Sequence, residues 1–155
     1  MTVRDDHTDG RAVSPVFGYA LTLGITTVLI AGLLIAAGGF VDTQRQATTE
    51  SELEVIGHQL AADVAAADRL ARTDGTETVA VTRGLPNRVV GSSYTVHVRD
   101  DENGPTRPYL ELTSTQPEVS VTVGLLSQTD VDPSSVGGGK IVVTYENGAL
   151  VIQSG

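Results

Sequence analysis

Glu50, Glu54 and His58 recur at intervals of four, the spacing that stacks side chains on one face of a helix. Two carboxylates and an imidazole so placed are the beginnings of a divalent-cation site. Glu52, Gln59 and Asp63 crowd the same stretch, so a solvated helix face is the expected reading. His97 sits between Val96 and Val98, on the polar side of an alternating strand pattern, and His7 lies near the start of the chain. Asp100-Asp101-Glu102-Asn103-Gly104 has the acidic density of a calcium loop. Counting back from Gly104, however, puts Arg99 where the first ligand belongs, so a turn between strands is expected. Gly137-Gly138-Gly139-Lys140 ends like a phosphate-binding loop. Ser134 occupies the place of its first glycine and Ile141 that of its Ser or Thr, which leaves a flexible loop entering a strand. There is no Cys and no Gly-x-Ser-x-Gly elbow. The expectation is a protein that is not an enzyme, with no catalytic residue, no metal and no cofactor.

The 155-residue chain carries a net charge of −9, from eleven Asp and eight Glu against nine Arg and the single Lys140. That balance argues against nucleic acid as a partner, because phosphate binding needs clustered basic groups. An acidic, lysine-poor surface suits high salt, where screening suppresses self-repulsion; an ordinary acidic domain is the alternative.

What positions these groups is dominated by one feature. Between Arg11 and Asp42 there is no charged side chain. A helix over Val16–Phe40 has a length of about 37 Å at 1.5 Å per residue, enough to cross a hydrocarbon layer of about 30 Å. The run is too long for the apolar region of a removable secretory signal, although Ala36-Ala37-Gly38-Gly39 is small enough to be cut. Arg4 and Arg11 before the run outnumber Arg45 after it, so the N-terminus is expected inside and the rest outside, as a single-pass protein. Ala20, Gly24, Thr27 and Ala31 step by four, three and four and form a small-residue face suited to close helix packing, although small residues are also common in membrane helices generally.

Past Asp42 the helical period continues. Leu53, Ile56, Leu60, Val64, Ala67 and Ala71 make one apolar face, and Thr73-Asp74-Gly75 is the first strong breaker. The expected helix spans about Pro15 to Arg72, weakened at Gly38-Gly39 and Gly57. From Glu77 the period becomes two, with strands expected at 78–82, 94–98, 109–113, 119–123, 141–145 and 149–152. Asn147-Gly148 marks a hairpin turn. The stretches 83–86, 100–108 and 130–139 read as loops. The fold class is α+β: a long N-terminal helix, half transmembrane and half amphipathic, packed on a small, mostly antiparallel sheet of five to seven strands. Its parts are a leader at 1–12, a transmembrane and assembly helix at 13–41, an amphipathic continuation at 42–73 and a sheet domain at 76–155.

This architecture resembles that of type IV pilins. Arg11-Ala12-Val13-Ser14-Pro15-Val16-Phe17-Gly18 is similar to the opening of archaeal, especially haloarchaeal, type IV pilin-like proteins. The resemblance implies a class III signal peptide, cut on the cytoplasmic side by a prepilin peptidase, with Arg11 and Ala12 before the cut and Val13 beginning the mature chain. It also implies that the apolar helix is retained and packs with other pilin-like subunits, in the membrane and then in a surface pilus serving assembly or adhesion. Val13 to Phe17 lacks the Glu that bacterial pilins carry near the cut, and three Asp dilute the basic leader. The expected function is therefore a membrane-anchored, surface-exposed structural subunit, major or minor, with no small-molecule substrate. The alternative is a signal-anchored envelope binding protein that does not polymerise.

Overall fold

The computed structural model describes residues 13–73, 78–100 and 107–155, the first three of these by backbone alone. Among these residues there is a single helix, α1, which runs from Val13 to Ala71. Eight strands follow among the described residues: β1 (Val79–Gly84), β2 (Tyr94–Arg99), β3 (Tyr109–Thr115), β4 (Glu118–Gly124), β5 (Asp130–Val131), β6 (Ser134–Gly137), β7 (Lys140–Glu146) and β8 (Ala149–Ser154). The class is α+β, as the change of hydrophobic period from 3.6 to 2 implies. The chain divides into two compact units, Met1–Asp42 and Thr43–Gly155.

In the first unit the side chains described from Val16 onward are all exposed, including Phe17, Leu21, Ile30, Leu34 and Phe40. An 18-residue window here has a mean hydropathy of 2.3 and none of it is buried. Such a helix is long and apolar enough to cross a membrane. Its threonine hydroxyls are satisfied within it: Thr22, Thr26 and Thr27 donate to the carbonyls of Gly18, Thr22 and Leu23, each at 2.8 Å. Groups paired in this way cost little in a medium without water.

In the second unit the amphipathic part of α1 covers the strands. Leu53, Ile56, Leu60, Val64 and Ala67 are buried with strand residues such as Val96, Leu112, Ile141 and Ile152 in one cluster. Each large aliphatic side chain buried there contributes roughly 1.5–3 kcal/mol. The strands form two four-stranded sheets, ordered β1-β7-β8-β5 and β4-β3-β2-β6, rather than the one sheet expected. All pairings are antiparallel except that of β5 with β8.

Two stretches expected as loops contain strands. Arg83 and Gly84 complete β1, paired with Ile141 and Lys140. The segment 130–139 holds β5 and β6, which are too short for a periodic signal and are made by pairing with distant β8 and β2. The glycine run before Lys140 is a tight connection, not a flexible loop. A Cβ on Gly138 would lie 2.5 Å from the Pro86 carbonyl oxygen and 2.7 Å from the Tyr94 ring. Asn147 and Gly148 adopt φ of 53° and 90° and close the β7–β8 hairpin as expected.

Candidate functional site

Of the expected processing residues, Arg11 and Ala12 lie outside the described residues, and Val13 is the first residue of α1. The expected packing face lies wholly in the exposed apolar unit. Ala20 and Gly24 floor a shallow depression bordered by Leu21, Ile25, Val28 and Leu29. A Cβ on Gly24 would meet nothing within 4 Å. Thr27 turns its hydroxyl onto Leu23, and Ala31 continues the stripe one turn on.

The groups that suggested chemistry stay on the surface. His58 Nε2 is 3.7 Å from Glu54 Oε1, and both side chains are well exposed. No group of three or more metal-binding side chains comes together among the described residues. His97 faces away from the core, opposite Glu111 and Ser135 in the strand register. Most of the acidic run at Asp100–Gly104 lies outside the described residues.

Two carboxylates in the second unit fasten α1 to the rest of the fold. Asp63, 5 % exposed, receives the Arg83 guanidinium on both oxygens, with Nε at 2.7 Å. That hydrogen bond, with the charge behind it, raises the pKa of Arg83 further, outweighing desolvation. Asp68, 3 % exposed, accepts the backbone N–H groups of Gln128 at 3.2 Å and Thr129 at 2.9 Å, and the Ser127 hydroxyl at 3.2 Å. Arg72 completes this clasp: its Nη2 is 3.0 Å from Asp68 Oδ2 while Nη1 donates to Gln128 Oε1 at 2.8 Å. Burial pushes the Asp68 carboxyl up. Hydrogen bonds from Thr129 and Ser127 and the Arg72 charge outweigh it, so the pKa lies below the usual value of 3.8. In the sequence both Asp residues simply lie between the apolar positions of the helix. Their signal was their spacing, since Leu60-Asp63-Ala67 and Val64-Asp68 follow the same three- and four-residue steps as the buried stripe.

Beside this clasp, Arg69, Arg72 and Arg107 edge a depression of about 370 Å³ that Leu126 also lines. It adjoins a second one, between Ala61, Ala62 and Ala65 of α1 and Thr122–Gly124 of β4, which Leu126 lines as well.

Comparison with known proteins gives one positive result: a family model described as "Family of unknown function (DUF7266)" matches residues 8–153. No curated protein matches the chain, and no solved structure does.

Proposed function

The chain belongs to the DUF7266 family, and from that footing we propose that it is a membrane-anchored, surface-exposed structural subunit of the type IV pilin-like kind. The observation that carries this reading is the division of labour along α1. Residues of its first part are apolar and uncovered, with a window of mean hydropathy 2.3, while its later part forms the core of a folded domain. A helix of that composition is stable only when lipid or other helices surround it. The small residues Ala20 and Gly24, with open space before them, let a second helix approach closely.

In this reading a prepilin peptidase cuts between Ala12 and Val13 on the cytoplasmic side, and the mature helix stays in the membrane. The domain from Thr43 onward stands outside the cell. Subunits then pass from lipid into a filament core, a transfer between two apolar surroundings. The role is structural, and adhesion is a property of the assembled surface. The acidic, lysine-poor composition fits a haloarchaeal source.

Mass spectrometry of the full chain extracted from native membranes tests the reading. The expected N-terminus is Val13. An intact leader, or a cut near Gly39, overturns it and leaves a signal-anchored envelope protein that does not polymerise.

A further inference from the structure

The two adjoining depressions make one furrow along α1. Helix positions 50, 54, 58, 61, 65, 69 and 72 advance by steps of three and four and therefore share one face. Charge changes sign along this face. Glu50 and Glu54 are at one end and Arg69 and Arg72 at the other, with Ala61, Ala62 and Ala65 between them. Arg107 joins the basic end from outside the helix. Arg72 is held by Asp68 and Gln128. The side chains of Arg69 and Arg107 are exposed, and neither guanidinium makes a hydrogen bond or ion pair among the described residues. Three of the ten basic residues thus gather at one depression of a chain whose net charge is −9. Leu126, 69 % exposed, stands where the two halves of the furrow meet, so the middle of the surface is apolar as well as small.

We propose that this furrow docks a second copy of the same chain, with the Glu50–Glu54 segment of one copy set against Arg69 and Arg107 of its neighbour. The inference rests on the filament reading, which brings copies together in one orientation. Charge complementarity selects the occupant. On a chain whose net charge is −9 the basic end of this furrow is a local exception, and it matches the acidic end of another copy. The match requires an offset. Glu54 and Arg69 are fifteen residues apart, so parallel neighbours meet when one is displaced by about 22 Å along the helix. Each copy then presents a free basic end and a free acidic end, a head-to-tail contact that repeats without closing. Ion pairs formed in a half-enclosed furrow are screened by salt less than pairs on an open surface.

The test is charge reversal in the full-length chain, read as protein recovered in sheared surface filaments. Thermal melting of the detergent-extracted chain verifies that each variant folds. Arg69→Glu with Arg107→Glu is expected to lower recovery at least tenfold, as is Glu50→Arg with Glu54→Arg. Co-expression of the two double variants restores recovery to within twofold of wild type, because each supplies the end the other has lost. Undiminished recovery of either double variant, or no rescue on co-expression while both melt like wild type, overturns the docking. A wild-type chain absent from the sheared fraction overturns the filament reading itself, and the docking falls with it.

Discussion

Gly57 on α1 lies so close to Val123 on β4 that a Cβ there would sit 2.7 Å from Val123 Cγ2 and 3.1 Å from Leu112 Cδ1. The glycine that weakens the helix pattern is what lets the helix settle onto the strands. Gly57→Ala is therefore expected to destabilise the domain. Alanine gains about 0.8–1.0 kcal/mol in helix propensity, but overpacking a core costs about 1–3 kcal/mol, and the β-branched Val123 has little rotameric freedom to retreat. A lower denaturation midpoint of the detergent-extracted chain is the expected result, and a raised one would count against the close approach.

Asp68 links the end of α1 to a loop some sixty residues away, with the N–H of Thr129 on its Oδ1 at 2.9 Å. Asp68→Asn keeps the shape but loses the charge, and at neutral pH is expected to cost roughly 1.5–3 kcal/mol, the range for hydrogen bonds to charged groups. The pH dependence follows from the lowered pKa. A depressed carboxyl pKa stabilises the fold above the unfolded-state value and is lost as pH falls through the folded-state value. Wild type should lose stability below about pH 4, and the Asn variant should lose less over the same range. Parallel acid titrations of the two chains, followed by circular dichroism, check this; identical slopes would rule Asp68 out as a contributor.

Tyr94, buried beneath Gly138, donates its hydroxyl to the Pro86 carbonyl at 2.8 Å. Burial pushes its pKa from 10.0 up to about 12. A raised pKa gives stability that is complete below the unfolded-state value of 10.0 and disappears as pH rises through the folded-state value. Tyr94→Phe should cost about 1 kcal/mol at neutral pH and should remove part of the stability loss seen between pH 10 and 12. The measurement is the melting temperature of both chains across that range. An unchanged alkaline loss in the variant would assign it to other groups.

Gly24→Leu tests the apolar unit separately. Within its own chain the new side chain has open space, so membrane insertion and the stability of the folded domain should be preserved. A neighbouring helix would be held off, and recovery in sheared surface filaments should fall by an order of magnitude or more. Recovery equal to wild type would remove Ala20 and Gly24 from the assembly surface.

Much of the fold was legible in local pattern. The stretch from Val16 to Phe40 announces a helix needing an apolar environment, and Leu53, Ile56, Leu60, Val64 and Ala67 announce a buried face, because helical periodicity is written in neighbouring residues. The longer strands and the Asn147-Gly148 turn were legible for the same reason. β5 and β6 were not. They have two and four residues and exist because β8 and β2 pair with them, so nothing in their own composition separates them from loop.

The candidate surface divides the same way. Sequence alone determined the uncharged helix, the spacing of Ala20, Gly24, Thr27 and Ala31, and the acidic balance of the chain, since each follows from residue type and interval. Only the tertiary structure decided that Asp63 and Asp68 are clasps, that Gly57 is a contact point, and that Arg107 joins Arg69 and Arg72 at one depression. Those depend on which distant segments meet. Burial and pairing are set by the packing of the whole domain, and a side chain's charge carries no record of the partner that will stand opposite it.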